Sequence, residues 1–163
     1  MATATQRNAA DLRREQIREQ LWPGSSREIF DRNKHDGYST VPRIVSMILG
    51  LIEELADKGK NSSRVYCELW FRAFDDKLIE VKDEHEIAYA SGVTVRRWKE
   101  RIAVLEKLGF IRTMPAGKLD YGYILLRNPY DAVKDLKDGG NVKDAAWLGA
   151  YTRRAAEIGY KLP

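Results

Sequence analysis

Between Thr94 and Lys107 the chain reads TVRRWKERIAVLEK. Arg96, Arg97, Lys99 and Arg101 are charge-assisted hydrogen-bond donors, and a guanidinium offers a planar fork that matches two oxygens of a carboxylate or phosphate. Glu100 adds an acceptor and Thr94 a hydroxyl that can donate or accept. These groups bind; they do not break bonds. The charge around them is concentrated: residues 91–130 carry eight Lys/Arg (Arg96, Arg97, Lys99, Arg101, Lys107, Arg112, Lys118, Arg127) against three Asp/Glu, whereas residues 41–90 carry seven against ten. A local excess of this kind is the footprint of a face that neutralises phosphates, and it is hidden in a whole-chain net charge of only +4.

Catalytic patterns are missing by the same test. Asp75-Asp76 and Glu53-Glu54 are adjacent pairs, which do not face each other on one element. Cys67 is the single cysteine, so no intramolecular disulfide can form, and His35 and His85 stand too far apart for a zinc spacing. No Ser/His/Asp arrangement or phosphate-cradling glycine loop is present. The chain is expected not to be an enzyme and to need no cofactor and no metal. Its 163 residues, 44% apolar and 32% charged, suit one globular domain with appendages. The N-terminus has no apolar signal core, and the longest apolar stretch, Ile44 to Ile52, falls short of the roughly 18–20 residues that span a bilayer. A cytoplasmic protein without membrane contact is expected.

The basic cluster needs a helix to hold it. Trp98, Ile102 and Leu105 recur at i, i+4 and i+7, predicting a helix over 94–108 with Thr94 as its cap. That seam faces inward; Arg96, Glu100, Ala103 and Lys107 then face outward, with Arg97, Lys99 and Arg101 on the flanks. Asp83-Glu84-His85-Glu86 reads as a capping box for a short preceding helix containing Ile87, Ala88 and Ala90, which ends at Ser91-Gly92. After Leu108-Gly109, strands over 110–114 and 121–126 flank a turn at Pro115-Ala116-Gly117-Lys118, and Asn128-Pro129 terminates the unit.

Upstream, residues 7–21 suggest an amphipathic helix bearing Leu12, Ile17 and Leu21, stopped by Trp22-Pro23-Gly24. Asp36-Gly37 turns the chain. A buried helix is expected from Pro42 to about Lys58, closed by Gly59. Asn61-Ser62-Ser63 supplies an N-cap for a core helix carrying Val65, Tyr66, Leu69, Trp70, Ala73 and Phe74, although the alternation Val65, Cys67, Leu69, Phe71 also fits a strand. Leu78–Val81 reads as a short strand. Two helical stretches, around 130–137 and 144–159, are separated by Gly139-Gly140. Trp147, Leu148, Tyr151, Ile158 and Tyr160 there offer apolar surface for a dimer contact or for packing on the same chain.

The order short helix, tight turn, longer helix, hairpin over EHEIAYASGVTVRRWKERIAVLEKLGFIRTMPAGKLDYGYILL, residues 84–126, resembles the winged helix-turn-helix DNA-binding proteins of bacteria, plasmids and phages. The likeness spans about a third of the chain or more. It implies a mainly α fold with a small β-hairpin wing: a winged helix-turn-helix core at 37–129, an N-terminal helical arm at 1–36 and a C-terminal helical extension at 130–163. By the same resemblance, the helix at 94–108 enters the major groove. Thr94, Arg96, Arg97 and Glu100 would read bases; Lys99 lies beside them; Arg101, Lys107 and Arg112 would meet phosphates; and Lys118 at the tip of wing 110–126 would touch backbone or minor groove. The implied function is sequence-specific binding of double-stranded DNA by a homodimer, as a transcriptional regulator of a bacterial or mobile-element system. A replication-initiation or partition protein on the same fold, and a winged-helix protein-interaction module without DNA, are the alternatives. Gly37–Arg43 also resembles the lead-in of some phage and plasmid replication proteins, which often have Asn where Arg43 stands.

Overall fold

The computed structural model describes residues 4–28, 37, 39–56 and 61–163. The expected turn residue Asp36, His35, and the helix end at Lys58-Gly59 lie outside them. Two compact units are present, 1–38 and 39–163.

In the first unit, α1 (Ala4–Leu21) is followed by a short 3-10 turn at Ser25–Arg27. Gly24, at a positive φ of 79°, makes the reversal possible, and its N–H donates to the Glu19 carboxylate at 2.6 Å. Leu12, Ile17 and Leu21 form the expected stripe and are exposed.

The second unit is mainly helical with a small antiparallel sheet. Its elements are α2 (Val45–Leu55), α3 (Ser62–Arg72), β1 (Leu78–Glu80), α4 (Glu84–Ala90), α5 (Val95–Lys107), β2 (Ile111–Ala116), β3 (Leu119–Leu126), α6 (Pro129–Asp138) and α7 (Ala145–Glu157). One continuous core takes Ile44, Ile48 and Ile52 from the α2 region, Val65, Tyr66 and Leu69 from α3, Trp98, Ile102 and Leu105 from α5, and Ile111 and Ile124 from the sheet. Ala132, Val133, Tyr151 and Ala155 of α6 and α7 join the same core. Trp147, Leu148 and Ile158 are partly buried against that core and Tyr160 stacks on Tyr130, so much of the apolar surface of this C-terminal stretch packs on its own chain.

Several local expectations change. The helical period wins over the alternation at 65–71, because α3 buries Val65, Tyr66, Leu69 and Trp70 while Phe71 is exposed. The helix stops at Arg72, so Phe74 falls beyond it and is exposed instead of buried. Asn61 sits at the cap position of α3 with a positive φ of 89° and no side-chain cap bond, and Ser63 donates to Glu53 at 2.5 Å instead. The capping box is half realised. Asp83 accepts from His85 N–H and Glu86 N–H, but the Glu86 carboxylate turns to Arg72, whose two guanidinium nitrogens donate to it at 2.6 Å each. A fork-to-fork pair competes well against one backbone N–H. That hydrogen bonding holds the Glu86 carboxyl below the usual range. Asn128-Pro129 starts an element as well as ending one: Asn128 accepts from Tyr130 N–H and Pro129 opens α6, where its missing donor costs nothing.

The sheet order is β1-β3-β2. The hairpin turn is tighter than expected, only Gly117-Lys118, because Pro115 and Ala116 remain within β2. Pro115 sits on an edge strand at a register shift between Met114 and Ala116, where a missing N–H is tolerated. The bulged chain passes over Gly122: a Cβ there would lie 2.8 Å from Ala116 N and would collide with Ala116 Cβ. Gly122→Val is therefore expected to destabilise the unit by about 1–3 kcal/mol through overpacking. Amide exchange in β2 and β3 should accelerate more than in α2, and equal protection in both would contradict this reading of the bulge.

Candidate nucleic-acid interface

Thr94 adopts an extended backbone and its Oγ1 accepts from Arg97 N–H at 3.2 Å, starting α5. Trp98, Ile102 and Leu105 are fully buried. The α4–α5 turn is closed by Gly92 N–H to Tyr89 O and Val93 N–H to Ala88 O, with Gly92 at a positive φ of 73° that L side chains rarely adopt. Ser91 is buried and donates back to Ile87 O at 2.8 Å.

Side-chain contacts orient the hairpin along α5. Near the helix end, Glu106 accepts from Thr113 N–H at 3.1 Å and from its hydroxyl at 2.6 Å. Toward the helix start, Trp98 meets Tyr121 edge-on at 6.3 Å, and Lys99 Nζ lies 3.3 Å from Asp120 and 3.4 Å from Glu84. The hairpin tip therefore lies on the side of the N-terminal half of α5, with Lys118 two residues from Asp120.

The structure sorts the sequence-derived candidates. Thr94, Arg96, Arg97 and Glu100 line one shallow depression. Arg96 is 91% exposed and its Nε lies 3.4 Å from Glu100 Oε1. Arg97 is exposed and has no ion pair among the described residues. Lys99 is held by Asp120 and Glu84, and the Asp120 hydrogen bond raises its pKa, so it stays protonated at neutral pH. Lys118 is exposed at the tip.

Three candidates stand apart from this group. Arg101, expected to reach phosphates, has a side chain only 12% exposed, with Nη2 3.9 Å from Glu100 and with Nε and Nη1 buried and unpartnered among the described residues. On the helix it lies three residues from Trp98 and four from Leu105, nearer the buried seam than the outer face. Lys107 is exposed but ten residues beyond Arg97, about 15 Å along the axis. Arg112 pairs across from Leu125 on the exposed face of the sheet, whereas its neighbours Ile111 and Thr113 point toward the core and α5.

Tyr89 escaped the sequence reading. It is 87% exposed on α4, next to the α4–α5 turn. The available signal was its place on the polar side of a short helix whose buried residues are Ile87 and Ala88.

Among the described residues no group of three or more His, Cys, Asp or Glu could hold a metal ion, and no helix is long and apolar enough to cross a membrane. Comparison of the chain with family models, curated proteins and solved structures returns no match.

Proposed function

We propose that residues 39–163 carry a winged helix-turn-helix that binds double-stranded DNA, with α5 in the major groove and the β2–β3 hairpin as the wing. One observation carries this reading: the apolar seam of α5 is sealed inward, while Thr94, Arg96, Arg97 and Glu100 share an exposed depression on the side of the hairpin tip that bears Lys118. The succession β1, α4, tight turn, α5, hairpin, and the sheet order β1-β3-β2, support it. Arg97 is the principal base-reading candidate because no carboxylate competes for it among the described residues, and Glu100 is the acceptor that can take a cytosine amine. Lys118 and the Tyr89 hydroxyl position the backbone. Lys99, bridging Asp120 and Glu84, acts as a strut between wing and helices. A homodimer would set two copies of α5 on half-sites one helical turn apart, about 34–36 Å. The role is transcriptional control in a bacterial or mobile-element system.

A second reading, a winged-helix module that binds protein, is favoured by the carboxylates within 4.0 Å of Arg96, Lys99 and Arg101, which spend part of the basic charge.

Selection of duplexes from a random pool by the purified protein tests the proposal. An enriched motif is expected, and binding to it should weaken steeply between 50 and 200 mM salt, with a log–log slope of about −0.9 per phosphate neutralised. No enrichment, or affinity indifferent to salt, favours the protein-binding reading.

A further inference from the structure

We propose that the outer edge of β1 is a docking edge for an extended, basic peptide segment of another protein. Val81 N–H donates to Gly122 O at 2.8 Å and Leu126 N–H to Lys77 O at 3.0 Å. With Ile79 opposite Ile124, these bonds turn the backbone groups of residues 77, 79 and 81 toward β3. The groups of Leu78 and Glu80 consequently face away from the sheet. Asp76 accepts from Leu78 N–H at 3.1 Å. Leu78 C=O, Glu80 N–H and Glu80 C=O have no partner among the described residues, because β1 pairs only with β3. This row of donors and acceptors is the template that an added strand uses.

The edge opens into a groove walled by Arg72 at the end of α3 and by Glu86 and Ile87 of α4, with Phe74 at its rim. Phe74 is 79% exposed, an anchor for an apolar side chain of the incoming strand. Arg72 and Glu86 occupy each other in the bidentate pair, which leaves Asp76, Glu80 and Asp83 lining the groove against Lys82. Charge complementarity therefore selects a strand rich in Lys and Arg. It also disfavours a second copy of this chain, whose own β1 edge would bring the same carboxylates against these ones.

The test is enrichment of a displayed library of random decapeptides on the full chain. Enriched peptides should carry more Lys/Arg than Asp/Glu and shift the amide resonances of Leu78 and Glu80. They should bind at least tenfold more weakly to Glu80→Pro, which removes the outward N–H together with the carboxylate, to Glu80→Lys, which keeps the N–H but reverses the charge, and to Phe74→Ser. The Lys and Ser variants serve if proline unsettles the strand. The proposal is overturned if no peptide is enriched, if the winners are neutral or acidic, if they bind Glu80→Lys and Phe74→Ser as well as the parent, or if Glu80→Lys instead dissolves a self-association of the chain.

Discussion

Trp98→Ala is expected to remove about 3–5 kcal/mol of unfolding free energy, the range for truncating a buried large aromatic. That is a large share of the roughly 5–15 kcal/mol that holds an ordinary domain together. The reason lies in its position. Trp98 is fully buried on the inward face of the first turn of α5 and meets Tyr121 of β3, so its loss opens a cavity between the helix and the hairpin. One term runs the other way: the indole Nε1 is buried without a partner among the described residues, and alanine removes that cost. Trp98→Phe, which keeps a ring and drops the N–H, should recover most of the loss. Urea titration followed by circular dichroism reads both variants. A loss below about 1 kcal/mol for alanine, the scale of ordinary surface changes, would mean that this residue does not anchor the helix.

Arg97→Glu should act in opposite directions on folding and on binding. Arg97 is the third residue of α5, and its N–H already bonds the Thr94 hydroxyl. A glutamate there completes a capping box with Thr94 and sits favourably at the positive end of the helix dipole, so the melting temperature should hold or rise slightly. If Arg97 reads a base as proposed, DNA affinity should fall about 100-fold or more, since a bidentate contact of that kind is worth roughly 1–3 kcal/mol and the glutamate would bring a negative charge toward phosphate. Arg97→Gln, neutral and polar, should fall between parent and glutamate. Fluorescence anisotropy with the selected duplex, beside a thermal melt, separates the effects. Binding unchanged in Arg97→Glu would remove this residue from the interface, whatever the rest of the surface does.

The parts of the fold that sequence made readable are those dictated by local periodicity and capping. Trp98, Ile102 and Leu105 announce the inward seam of α5, and Thr94 and Asp83 announce helix starts, because each signal acts within one or two turns. What sequence hid depends on distant partners. Glu86 could not be seen to abandon its capping role until Arg72, fourteen residues earlier, arrived beside it. Pro115 read as a turn residue because its accommodation in β2 depends on that strand being an edge and bulged. Phe74 followed the helical spacing of α3, but the helix had already ended at Arg72. The candidate site divides the same way: Thr94, Arg96, Arg97 and Glu100 come together because they share one helical turn and its neighbour. The burial of Arg101 and the placement of Arg112 on the exposed sheet face were set by tertiary packing and strand alternation.

The most direct measurement is amide chemical-shift mapping of the labelled protein on addition of its selected duplex. DNA binding through α5 and the wing predicts that the largest perturbations fall on Thr94–Glu100, Tyr89 and Gly117-Lys118, with residues of α7 little changed. Perturbations centred on α7 or on the exposed sheet face around Arg112, with Thr94–Glu100 silent, would contradict it.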